Sequence, residues 1–148
     1  MKAFDVAAYI INLCIEKGSP VSNLQLQKIL YFTHLFYLKK TGTKLITDKP
    51  FEAWQFGPVI EDVYYKYSIF AAAPIIFKEK NPEITLDVDV PNINTLIVNL
   101  SNKPPSYLVK LSHIKNGAWD KTYRGGFGNH TIIDDELIKE EAFINSER

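Results

Sequence analysis

The sequence predicts a mainly α (α+β) fold, a single compact domain of about five to seven helices with a small β element. Three observations carry this. Several segments place apolar residues at helical spacing between recognisable start and stop signals. One short run, Phe51–Gln55, has a strand period instead. The 148 residues, 46% of them apolar, suit one domain with a real core and leave no room for two.

The first helix is expected over Phe4–Lys17, with Phe4, Ala7, Ala8, Ile11, Cys14 and Ile15 toward the core and Gly18 closing it. Ser19-Pro20 then turns the chain into a second, better signed helix. Ser22 is its N-cap, and Gln25 three residues on completes a capping box. Val21 and Leu26 suit a hydrophobic staple. Leu26, Ile29, Leu30, Thr33, Phe36 and Tyr37 form an apolar stripe that predicts about five turns. Lys39 and Lys40 suit the C-terminal end of the macrodipole, and Gly42 stops the helix.

In the run that follows, Phe51, Ala53 and Gln55 would point one way and Glu52, Trp54 and Phe56 the other. Apolar bulk on both sides predicts cover on both faces. Gly57 is expected to turn the chain, with Pro58 at the first position of a helix that carries Val59, Val63, Tyr64 and Tyr67. Ser68–Ala73 reads as a helix end or a loop, and Pro74 breaks it. Ile75–Lys78 and Ile84–Val88 could pair as a hairpin around Asn81-Pro82-Glu83. A helix follows Pro91 through Ile93, Leu96, Ile97 and Leu100. After Pro104-Pro105, Tyr107, Leu108 and Leu111 make a short one ending near His113. Gly117–Tyr123 is a helical turn, Arg124–Gly128 a flexible glycine loop. The last helix is capped by Asp134 and carries Leu137, Ile138, Glu141 and Phe143.

Lys and Arg together number 17, and so do Asp and Glu. A nucleic-acid partner normally demands a cationic surplus to displace counterions, so direct binding to DNA or RNA is not expected. No run is long and apolar enough to span a membrane. The single Cys14 and the absence of a signal-peptide layout fit a cytoplasmic protein. The helix–turn–helix opening lacks a basic first turn on its second helix, which argues against DNA reading.

Catalytic signatures are missing. No P-loop, nucleophile elbow or dinucleotide fingerprint occurs, so no cofactor is expected. His34, His113 and His130 are far apart and none has a second ligand at zinc spacing, so no metal is expected either. His34 reads as a helix-surface residue and His113 as a helix-end donor. Cys14 reads as buried. Asp134, Asp135, Glu136, Glu140 and Glu141 read as a solvated helix face. The aromatics are richer than a core this size requires. Tyr31, Trp54, Tyr64, Tyr65, Tyr67, Tyr107, Trp119 and Tyr123 divide between core and interface, and both readings stay open.

The stretch Leu26-Gln27-Lys28-Ile29-Leu30-Tyr31-Phe32, then Glu52-Ala53-Trp54, then Gly57-Pro58-Val59 with Tyr64, resembles the signature of the Panacea domain family. Leu111-Ser112-His113 followed by Ala118-Trp119 resembles that family's second landmark, with Ala118 where proline is usual. The likeness runs roughly from residue 5 to residue 145, and makes residues 1–148 one Panacea-like domain. It implies an antitoxin of a bacterial or phage toxin–antitoxin module that neutralises a cognate protein toxin by direct contact and is not an enzyme. It also marks Gly57, Pro58, His113 and Trp119 as structural motif residues. Two other readings stand beside it: an adaptor that delivers a partner for proteolysis, and a hydrolytic enzyme using His113. Gln27 and Tyr31, four apart, share a helix face away from the apolar stripe. With Trp54, Gln55 and Tyr64 nearby in sequence, they are the expected partner-binding residues. The oligomeric state is not legible.

Overall fold

Helix α2 (Asn23–Thr41) is the axis of the molecule. Every residue from Leu26 to Leu35 is buried. At 3.6 residues per turn, such a run has no solvent side, so the helix is covered all round. Its neighbours are α1 (Ala3–Glu16), α3 (Glu61–Tyr67), α5 (Ile93–Ser101), α6 (Pro105–Ser112) and α8 (Asp135–Ile144), together with the sheet. The computed structural model describes residues 1–80, 82, 84 and 86–144, with no side-chain description for residues 88 and 89. Among these residues there are seven helices of six or more residues and a single-turn α4 (Leu86–Asp89). Mainly helical, with one small antiparallel sheet, is the fold that the apolar spacing predicts.

The ends of α2 follow local chemistry. Ser22 Oγ accepts from the Gln25 N–H at 3.3 Å, and Gln25 Oε1 accepts from the Ser22 N–H at 2.9 Å. Gly42 closes the helix at φ 76°, where a side chain would be disfavoured. At α8 the Asp134 carboxylate accepts from the Glu136 N–H at 2.8 Å, which makes it the expected cap.

The sheet has the order β2-β1-β3, all antiparallel. β1 (Glu52–Trp54) and β2 (Gly57–Val59) form a hairpin turned by Gln55 and Phe56. β3 (Thr131–Ile132) joins the other edge of β1, with Glu52 opposite Ile132. Gly57-Pro58-Val59 is therefore a strand, and Pro58 is not the first residue of a helix. Pro58 faces Ala53 across the hairpin, and α3 begins three residues later at Glu61. Sequence-local signals see the proline and glycine but not the strand that pairs with them.

Other expectations shift with packing. Phe4 lies at the rim, 36% exposed, Ile15 is half-buried, and Phe143 is 46% exposed. His34 is buried instead of lying on the surface, with its Nδ1 accepting from the Ile46 N–H at 3.2 Å. Glu141 is buried too, unlike the rest of its acidic segment. Phe56 and Gln55 are exposed at the hairpin tip, so cover on both faces stops short of it. Ile75–Lys78 forms no strand, and Leu86–Asp89 is helical, so that hairpin is not made; Asn81, Glu83 and Thr85 lie outside the described residues. Arg124–Gly126 is a 3-10 turn following α7 (Ala118–Tyr123), and it leads into β3.

Candidate partner-binding surface

The motif residues of α2 turn inward and build the support of the hairpin. Gln27 is fully buried. Its Nε2 donates to Asn23 Oδ1 at 3.1 Å, and its Oε1 accepts from the Ile60 N–H at 3.0 Å. Asn23 in turn donates to the Tyr64 carbonyl at 3.0 Å. One amide pair thus fixes the start of α3 against α2. Lys28, one residue on, is also fully buried, and its Nζ donates to the Pro58 carbonyl at 2.7 Å. Burial pushes its amine down to about 7.

Gly57 belongs to the same contact. Its φ is +112°, and a Cβ there would lie 2.5 Å from Ser112 Oγ and 3.0 Å from Lys28 Cε. Glycine lets α2, α6 and the hairpin close together. Ser112 Oγ donates to the Val109 carbonyl at 2.7 Å. His113 stacks on Trp119 with centroids 3.6 Å apart, and Trp119 stacks in turn on Tyr123. Burial, then the Lys28 charge, hold the His113 imidazole below its ordinary value. Its Nε2 is buried and lacks a hydrogen-bond partner among the described residues.

Tyr31 also points inward. Its hydroxyl donates to Glu141 Oε1 at 3.0 Å, and the Ala118 N–H donates to the same oxygen at 2.8 Å. Tyr31 therefore ties α2 to α7 and α8 and shows no surface of its own. The sequence places Gln27 and Tyr31 on a partner-facing side because Leu26, Ile29, Leu30, Thr33 and Phe36 fill another face of α2, yet both are fully buried. The core in fact surrounds the helix.

Trp54, Gln55 and Tyr64 do reach the surface. With Phe56, Ala71 and His130 they line a cleft of about 460 Å³, and Gln27 lies at its floor. The Trp54 indole is held on several sides. Its Nε1 donates to Glu52 Oε1 at 3.1 Å, Tyr64 meets it edge-on at 4.9 Å, and His130 stacks flat on it at 4.2 Å. Such a cleft offers preorganised aromatic area with few rotamers left to freeze. The sequence reading missed His130 as a partner of Trp54. Their contact depends on β3 pairing with β1, to which no local periodicity points.

Comparison with known proteins matches the span that holds most of these inward and outward residues. The family model described as "Antitoxin SocA-like, Panacea domain" matches residues 26–120. The chain belongs to the SocA-like Panacea antitoxin family. A curated relative, Antitoxin SocA of Caulobacter vibrioides (strain NA1000 / CB15N), is 32% identical over 152 residues, covering 90% of this chain and 80% of that protein. No solved structure matches. The span that matches the Panacea model includes Gln27, Lys28, Tyr31, Gly57, Pro58, His113 and Trp119 from the supporting layer, and Trp54, Gln55 and Tyr64 from the cleft. No described helix is long and apolar enough to cross a membrane.

Proposed function

We propose that this chain is the antitoxin of a toxin–antitoxin module and neutralises a cognate protein toxin by direct contact, in the cytoplasm and without catalysis. The observation that carries this is the Panacea match over residues 26–120, joined by a relative named as an antitoxin. The contact surface in this proposal is the cleft of Trp54, Gln55 and Tyr64, with Gln27 beneath it and Tyr31 bracing α2 against α7 and α8. A rigid, prefolded surface avoids the ordering cost that a disordered inhibitor meets on binding. The chemistry around His113 supports the non-catalytic reading: Ser112 Oγ is turned to a backbone carbonyl, and His113 is stacked against an indole.

The test uses the product of the reading frame adjacent to this chain's gene. That protein is expressed in a bacterial host alone, with the parent chain, and with Trp54→Ala, Gln55→Ala or Tyr64→Ala variants checked for folding. Growth arrest alone, rescue by the parent and a co-purifying complex are the expected results. Failure of the parent to rescue and to bind sinks the proposal. Rescue by every folded variant moves the contact surface elsewhere. A chase of the bound toxin separates stable inhibition, in which its level persists, from delivery to a protease, in which it disappears.

A further inference from the structure

Helices α2, α5, α6 and α8 leave a groove of about 380 Å³ between them. Phe36, Leu96, Leu100, Tyr107 and Leu111 supply its apolar walls. Tyr107 is exposed, and Phe36, Leu96 and Leu111 are half-buried, so the walls stay open to water. Glu141 also lines the groove, and its carboxylate already accepts from the Tyr31 hydroxyl and the Ala118 N–H. The groove shares no lining residue with the Trp54 cleft.

Cations border these apolar walls. Lys39 and Lys40 line the groove from the last turn of α2, and both are exposed. Lys40 Nζ stands 5.4 Å from the centroid of the Phe36 ring, and Lys103 Nζ 5.3 Å from that of Tyr107. None of the three forms an ion pair among the described residues, whereas Lys44, Lys49, Lys66, Lys78 and Lys121 each hold a carboxylate. At an exposed site a ring face is a weak substitute for an anion. Carboxylates brought here would meet three ammonium groups beside apolar area that is still wet.

The shape points to what carries those carboxylates. Along α2 the wall runs from Phe32 to Lys40, a rise of about 12 Å at 1.5 Å per residue. Over that length a helix presents apolar anchors at i, i+3 or i+4 and i+7. A free lipid gains its affinity by being enclosed, and these open walls enclose little. A nucleic acid would bring polar base edges against Leu96, Leu100 and Leu111, which leave them unpaired.

We infer that this groove receives an amphipathic helix of a partner protein, with apolar side chains between α2, α5 and α6 and acidic residues on its flanks toward Lys39, Lys40 and Lys103. The inference goes beyond the antitoxin reading and does not rest on it, because the groove is separate from the Trp54 cleft.

The test uses the full chain, 15N-labelled, and a lactam-stapled peptide of about 16 residues, long enough to hold a helix. The peptide carries leucine along one face and glutamate on both flanks. One control has lysine for every glutamate, and a second has serine for every leucine. The backbone amide signals of Phe36, Leu96 and Tyr107 should shift saturably with the acidic peptide and respond about tenfold more weakly to either control. The Lys39→Gln/Lys40→Gln/Lys103→Gln variant changes exposed positions only and is checked by its spectrum. It should bind the acidic peptide about tenfold more weakly, and added salt should weaken the parent in the same direction. No saturable response, an equal response to a control, unchanged affinity in the variant, or shifts confined to the Trp54 cleft overturns the inference. Dodecanoate saturating the same signals at a lower concentration than the peptide makes the groove a lipid site and also overturns it. No toxin enters the titration, so failure of the antitoxin reading leaves its result untouched.

Discussion

The Trp119 indole Nε1 donates to the Trp54 backbone carbonyl at 2.7 Å, across 65 positions of sequence. The bond joins the two landmarks of the family signature. It places α7 under β1, so that the Trp54 side chain on the opposite side of the backbone is aimed outward from a braced strand. Trp119→Phe keeps an aromatic ring against His113 but leaves that carbonyl without its donor. A cost of about 1–3 kcal/mol is expected from an unmet buried acceptor, read as a lower urea midpoint. An unchanged midpoint would show that the strand does not depend on the brace.

Gly57→Ala tests the closure of the hairpin on α2 and α6. The new Cβ adds a φ that L residues rarely adopt to a 2.5 Å approach to Ser112 Oγ. A loss on the order of 2–4 kcal/mol is expected from strain and overpacking together. Adding Ser112→Ala should recover part of it, because the clash is removed and the backbone strain is not. Equal loss in the single and double variants would assign the cost to the backbone and to the Lys28 stem 3.0 Å away instead of to Ser112.

Lys28 gives stability a pH dependence on the alkaline side of neutrality. Its amine falls from an ordinary 10.5 to about 7 in the folded chain. The fold therefore prefers the neutral form, and the unfolded chain binds more protons between these values. The contribution is fully present above the unfolded value and is lost as pH falls to about 7. From pH 7 to 9 the unfolding free energy should rise, at most by about 1.4 kcal/mol per pH unit from this group. Lys28→Met should flatten the rise in urea titrations. A slope matching the parent's would mean that the ammonium is better solvated than its burial indicates.

His34 acts on the acid side. Burial first, and the Lys44 and N-terminal charges after it, hold the imidazole at about 4 against an ordinary 6.5, with Asp135 opposing. This contribution is complete above about 6.5 and is lost as pH falls through about 4. His34→Gln should therefore lose less stability than the parent between pH 7 and 4.5, whatever its starting value. Parallel curves for the two proteins would remove His34 from the acid response.

What the chain determines by itself is where α2 starts and stops and where α8 starts. Ser22 with Gln25, Gly42 and Asp134 act within a few residues of their own positions, so their roles are legible in order along the sequence. The resemblance of the Leu26–Phe32, Glu52–Trp54 and Gly57–Val59 motifs also pointed to the family. Only the tertiary structure decided what those motif residues do. A stripe of Leu26, Ile29, Leu30 and Phe36 predicts one buried face, yet six elements packed around α2 bury Gln27, Lys28, Tyr31 and His34 as well. Periodicity reports one-sided burial and falls silent when a helix is enclosed. The strand at Gly57–Val59 and the stack of His130 on Trp54 exist only because distant segments supply their partners. A polar side chain in such a place is satisfied by a carbonyl 30 residues away, as Lys28 is by Pro58, and no local pattern encodes that distance.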